Sequence, residues 1–220
     1  MPVIPSRDTL QRTLSQELAP EVRAWLDAQR ADTALLTDRT KLRVAFARAG
    51  RKLGADAERA ASFAGAFATL PLVDLARAVL LLDALDALPE SEHVERLSEL
   101  YRTGEQREQQ SVLRALPLLP EPARFVTIAI EACRTNSPLV FGAIANDSPF
   151  PADHFPELNF NQLVLKAIFL GVPVQRIVGL AQRTTPELRR MVSEYASERR
   201  AAGRPIPGDV DHVLALTSAS

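Results

Sequence analysis

Residues 71–89 read PLVDLARAVLLLDALDALP, and the fold class turns on that stretch. Pro71 can open a helix, where its missing N–H costs nothing, and Leu72, Ala76, Val79, Leu80 and Leu82 make the cylinder apolar on nearly every side. A helix without a polar face belongs at the centre of a core. Asp83 and Asp86 share a face by their spacing and could be drawn as an acid pair. So close to Pro89, however, they are expected to meet solvent or a neighbouring arginine.

Working outward, the same helical texture continues on both sides. Leu10, Leu14 and Leu18 repeat behind a Ser6 or Asp8 cap, and Pro20 ends that helix while opening the next, whose burying residues are Val22, Trp25 and Leu26. A third helix over 37–53 offers Leu42, Phe46 and Ala49 to the core. Its opposite face, Lys41, Arg43, Arg48, Arg51 and Lys52, is expected to be solvated. The Ala-rich residues 54–70, with Phe63, Phe67 and Leu70, read as a loop followed by a helix. Val94, Leu97, Leu100 and Tyr101 mark a helix ended by Gly104, and further helices follow over 105–116 and 125–133. Short helices alternating with Pro or Gly breaks predict an all-α fold of stacked helical hairpins, α-solenoid or bundle-like. It is expected to be one domain over 1–220, with a helical scaffold over 1–120. The tail, 205–220, is expected to hold one short apolar turn at 210–216 and then fray.

Composition agrees with this reading. The chain has 220 residues, 46% of them hydrophobic and 5% aromatic, enough apolar surface for an ordinary core but few of the residues that favour strands. Its 26 Lys and Arg balance 27 Asp and Glu, so no net field recruits nucleic acid or an anionic membrane. The single cysteine, Cys133, can form neither an intramolecular disulfide nor a thiolate zinc cluster and reads as a small buried residue. The start carries a charge by Arg7 and no apolar run, so no secretory signal is expected and the cytoplasm is the expected location. The longest uncharged stretches, such as 62–73 and 135–146, run about a dozen residues against the roughly 20 that a span requires, so no integral membrane segment is expected.

From Arg134 the texture changes. Asn136, Phe141, Asn146, Asp147, Asp153, His154, Phe155 and Asn159 stand among several prolines, and proline-stiffened loops of this kind often carry the site of a helical scaffold. The competing account makes Asn136, Asn146, Asp147, Asp153 and Asn159 helix caps and turn formers. The helix that follows, over 158–170, is apolar almost all round, but Asn159, Gln162 and Lys166 fall within about 60° of one another at 100° per residue. On a central helix such a stripe faces either a strip of solvent or a polar-lined cavity. Lys166 is therefore the leading candidate, as a grip for an anionic group, with Asn161 and Gln162 as orienting partners. The glycine-bracketed turn 171–179 can bring Arg176 to the same region. A last long helix from Thr185 to about Ala202 buries Leu188, Met191, Val192 and Tyr195 and carries Arg190, Glu194 and Glu198 as a surface ladder.

The familiar chemical signatures are missing. There is no dinucleotide fingerprint or P-loop, no HExxH and no GxSxG, and His93, His154 and His212 are too far apart in sequence to suggest a metal site. No cofactor and no metal are expected. Asp153 and His154, with Glu157, form an improvised acid–base candidate, set against the commoner turn or surface role of such residues.

Several stretches together resemble the EboA family: Arg134-Thr-Asn136, Asn146-Asp147-Ser-Pro149-Phe-Pro151, Phe155, Asn161-Gln162-Leu-Val-Leu-Lys166-Ala, Arg176-Ile-Val-Gly179-Leu, Pro186-Glu-Leu, and Tyr195-Ala-Ser-Glu198-Arg199-Arg-Ala-Ala-Gly203-Arg204. The resemblance runs over about 134–204. Where the family pattern often carries a His and a Trp in its last segment, this chain has Ser197 and Arg200. The resemblance implies a role in secondary-metabolite traffic, in operons that also encode a prenyltransferase-like membrane enzyme and TIM-barrel and sugar-phosphate-cyclase-like partners.

The leading expectation is a non-catalytic carrier or adaptor that binds a hydrophobic small-molecule metabolite or partner proteins of the same operon. Asn136, Asn161, Gln162, Lys166 and Arg176 would orient the ligand; Phe141, Phe155 and Phe160 would line it. One alternative is an enzyme on the same metabolite class, with Asp153, His154 or Lys166 as general base. Another is a structural scaffold for the operon partners.

Overall fold

The computed structural model describes residues 4–63 and 69–216. The fold is all-α: fourteen α-helices and one small two-stranded sheet occur among the described residues. The chain divides into two compact units, Met1–Ile128 and Ala129–Ser220.

In the first unit, α1 (Arg7–Glu17), α2 (Pro20–Ala31), α3 (Thr33–Thr37) and α4 (Arg39–Leu53) precede a hairpin of β1 (Ala60–Ser62) and β2 (Thr69–Pro71). Then come α5 (Leu72–Asp86), α6 (Glu90–Thr103) and α7 (Gln106–Ala115), and α8 (Val126–Ala132) spans the boundary between the units. Ser6 is the cap of α1, its hydroxyl accepting the Thr9 N–H at 3.3 Å, and Pro20 is the first residue of α2. The expected third helix over 37–53 is α4, and the short α3 before it is an addition to the expected order. Asp38 caps α4 by accepting the Lys41 N–H at 2.8 Å, which ends α3 one residue earlier.

Helix α5 is the centre of this unit. Thirteen of its fifteen residues are buried, and it packs against α1, α2, α3, α4 and α7, a bundle-like gathering round one apolar rod. Two of the buried residues are charged. Arg77 donates to the Phe46 carbonyl at 2.9 Å and the Ser111 hydroxyl at 2.9 Å and stacks over the Phe46 ring. Asp74 accepts from Ser111 and, at 2.6 Å, from Arg114. Each charge is therefore matched, which is the condition for burying it. At the far end Asp83 accepts from Arg7 and Arg30 and Asp86 from Arg7, so this pair meets arginines as expected.

Three expectations are corrected. Residues 60–62 and 69–71 form an antiparallel hairpin, with Ala61 opposite Leu70, instead of continuing a helix. Helix propensity is a weak preference, and pairing that buries Ala61 and Leu70 overrides it; Phe67 lies outside the described residues. On α6, Val94 faces outward, while His93 and Arg96 take buried places because the Leu88 and Thr37 carbonyls are there to pair with them, at 3.1 and 2.9 Å. Val22 and Trp25 of α2 are only half-buried, leaving Leu26 as that helix's core residue.

The second unit contains α9 (Pro138–Ala145), α10 (Phe150–His154), α11 (Glu157–Leu170), α12 (Leu180–Arg183), α13 (Pro186–Ala201) and α14 (Gly208–Ala215). Helix α11 packs against α9 and α13. It ends at Gly171 in the left-handed conformation, with the Val172 N–H returning to the Ala167 carbonyl at 2.9 Å. The expected apolar turn of the tail is the two-turn helix α14, which packs on α13 through Val210 and Val213; the last four residues, expected to fray, lie outside the described residues. No helix among the described residues is long and apolar enough to cross a membrane.

Candidate functional site

The polar stripe of α11 faces two hollows of the second unit. One is an open cleft of about 510 Å³ between α11 and α13, where Leu165, Phe169, Met191 and Tyr195 provide the apolar wall. Asn136, Glu194 and Glu198 stand at the same cleft. The other hollow is smaller and more enclosed, about 250 Å³, with Cys133, Arg134, Asn159, Ile130, Phe155 and Leu163 around it. Gln162 and Lys166 line both, so the two hollows lie against the same edge of α11.

Lys166 borders both hollows. Its Nζ lies 5.9 Å from the centre of the Phe141 ring, and Lys166 forms no ion pair among the described residues. The ring is fully buried and supplies a flat, weakly negative surface under the ammonium without consuming its charge. Beside it, burial pushes the Cys133 thiol up to about 12, with the Lys166 charge pulling the other way. Cys133 is therefore a neutral thiol at ordinary pH.

The candidate residues thus separate into groups. Asn136, Phe155, Gln162 and Lys166 line the hollows, and Phe141 lies beneath Lys166. Asn136 is free for this because Ser137 is the cap of α9, its hydroxyl accepting the Val140 N–H at 3.4 Å; Asn159, likewise, lies within α11 and borders the enclosed cavity instead of capping. Asn161 points elsewhere. It is wholly buried on another face of α11, with neither its amide nitrogen nor its oxygen hydrogen-bonded among the described residues, and it borders neither hollow.

Asp147 and Arg176 pair with each other. Asp147 takes a left-handed turn conformation at φ 56° where α9 ends, its N–H donates to the Arg176 carbonyl at 2.8 Å, and the Arg176 guanidinium returns to its carboxylate, which raises the arginine's pKa. Both side chains are exposed and neither borders the two hollows. Asn146 ends α9 with its side-chain oxygen buried and without a hydrogen bond among the described residues. His154 lies on Phe150 at 4.9 Å between ring centres, and Asp153 is exposed. Among the described residues, no cluster of three His, Cys, Asp or Glu side chains could hold a metal.

Sequence reasoning missed Arg134 and Cys133 at the enclosed cavity, and Met191, Tyr195, Glu194 and Glu198 at the cleft. The residues from 191 to 198 are spaced three and four apart, so a shared face was legible, but nothing local says that this face meets α11. Of the expected ladder the Arg190–Glu194 rung formed, with Arg190 also bridging Glu187. A comparably large hollow in the first unit, about 540 Å³, is lined by Arg7, Arg30, Asp83 and Asp86, whose charges are already spent on one another.

A comparison with protein-family models matches residues 6–215 to the family described as metabolite traffic protein EboA. The chain belongs to the EboA family. The match covers nearly the whole chain, well beyond the region over 134–204 that carried the resemblance, so the helices of the first unit are part of the EboA pattern too. The family's name points to metabolite traffic. Neither the curated proteins nor the solved structures yielded a match.

Proposed function

We propose that this EboA-family chain is a non-catalytic carrier that binds a small, largely apolar metabolite along α11, in the cleft and cavity that share Gln162 and Lys166. The observation that carries the reading is the position of Lys166: a cation with no ion pair among the described residues, bordering two hollows, on a helix otherwise apolar nearly all round. A cleft of about 510 Å³ falls within the usual span for small-molecule sites, roughly 300–1,000 Å³, and its mixture of apolar wall and few polar groups is their usual composition.

Native mass spectrometry of protein purified gently from its own host tests this reading. The expected spectrum shows a stoichiometric small mass that disappears on denaturation and is absent from a Lys166→Met variant. A wild-type protein that is empty on isolation and takes up nothing from a host extract removes the reading. Exposed Leu139, Leu158 and Phe169 support a second reading, an adaptor for a partner protein, which predicts a protein complex in the same spectrum.

A further inference from the structure

We propose that the enclosed cavity is the subsite for an anionic end group, a carboxylate or phosphate, of an amphipathic ligand whose apolar body lies in the open cleft. This deepens the carrier reading and rests on it.

The two hollows differ in charge balance, although Lys166 borders both. The enclosed cavity is bordered by two formal cations, Lys166 and Arg134, and by no carboxylate. Asn159 and Gln162 add amide donors there. The two carboxylates of the site, Glu194 and Glu198, border the open cleft instead, on α13. The cleft shares Lys166 with the cavity and its Glu194 is already bridged by Arg190, but only the cavity combines two cations with no carboxylate, so an anionic end group is favoured there.

The cations are also uncommitted. Neither Lys166 nor Arg134 forms an ion pair among the described residues, whereas neighbouring arginines of the same unit are engaged: Arg176 with Asp147, Arg183 with the Ala152 and Phe155 carbonyls, Arg190 with Glu187 and Glu194. In a sequence whose cations and anions balance, two unpaired cations on one small cavity leave room for an anion from outside. The apolar half is equally distinct. Phe169 is 66% exposed beside Leu165, Met191 and Tyr195, an apolar wall that a hydrocarbon body would cover. A carboxylate or phosphate held by both a lysine and an arginine gains charge-assisted hydrogen bonds that an alcohol cannot make in the same way.

Isothermal titration with decanoate, decyl phosphate, decanol and decyltrimethylammonium tests the assignment on wild type, Lys166→Met and Arg134→Gln. Wild type is expected to bind at least one of the two anions about tenfold or more tighter than decanol, with the cation weakest, and the tighter of the two anions names the end group. Lys166→Met should bring both anions down towards the level of decanol measured on the same variant. Arg134→Gln, at an exposed position, should shift the anions in the same direction and remains informative if the lysine variant folds poorly. Decanol binding as tightly as both anions overturns the end-group assignment and leaves the apolar site standing, as does an anion preference that survives both substitutions. If none of the four probes binds, the carrier reading falls with it.

Discussion

The ammonium of Lys166 stands 5.9 Å from the centre of the Phe141 ring, a fully buried aromatic on α9, so the one charged residue in the middle of α11 rests on carbon and not on a carboxylate. That geometry leaves its charge available at the surface of both hollows.

Stability and binding should therefore separate at this residue. Lys166→Met keeps the stem that packs along the cleft and loses a contact of about 0.5–1 kcal/mol. The expected result in urea denaturation is a change of about 1 kcal/mol or less, alongside loss of the bound small mass. A loss above about 3 kcal/mol would make Lys166 a structural residue instead.

Arg183 is the contrasting case, a cation committed to the fold. Its guanidinium lies 4.6 Å from the centre of the Phe160 ring and donates to the Ala152 carbonyl at 2.6 Å and the Phe155 carbonyl at 2.8 Å. A lysine cannot reproduce a planar fork that stacks and bridges two acceptors at once. Arg183→Lys is expected to cost about 1.5–3 kcal/mol in chemical denaturation. A variant as stable as wild type would show that those carbonyls find other donors.

Two left-handed glycines differ in their surroundings, which makes them a matched pair. Gly171 at φ 69° has open space where a Cβ would stand. At Gly179, φ 75°, a Cβ would come 2.7 Å from the Ala152 Cβ. Gly171→Ala should cost only the conformational penalty of about 1–2 kcal/mol, and Gly179→Ala that penalty plus a backbone shift of α12 against α10. Thermal melts of the two variants check the order; equal losses would show that the contact at Gly179 relaxes without cost.

The Cys133 thiol gives a pH signature. Its pKa rises from 9.0 to about 12 because burial disfavours the thiolate, so in the folded protein it stays protonated while an unfolded chain would have released its proton. Between those values the folded state holds more protons than the unfolded one. The stabilisation is thus whole below pH 9 and is lost as pH climbs towards 12. Alkylation by iodoacetamide at pH 8 should be far slower in native than in urea-unfolded protein, and Lys166→Met, which removes the opposing charge, should not accelerate it. Equal native and unfolded rates would place the thiol in water.

The sequence alone determined what depends on near neighbours. The apolar cylinder that became α5, the Ser6 cap, Pro20 at the start of α2 and the stripe of Asn159, Gln162 and Lys166 on α11 all follow from a repeat of 3.6 residues and from capping chemistry that acts within a turn. Tertiary structure alone decided which stretches meet. It paired residues 60–62 with 69–71 against their helix propensity, brought Arg134 and Cys133 to Lys166, and set Glu194 and Glu198 beside the cleft. It also turned Asn161 inward and tied Arg176 to Asp147 instead of to the two hollows. The physical reason is the range of the forces involved. Periodicity and caps are written into adjacent residues, whereas the packing of α11 against α9 and α13 is fixed by burial summed over segments far apart in the chain, and no local pattern records it.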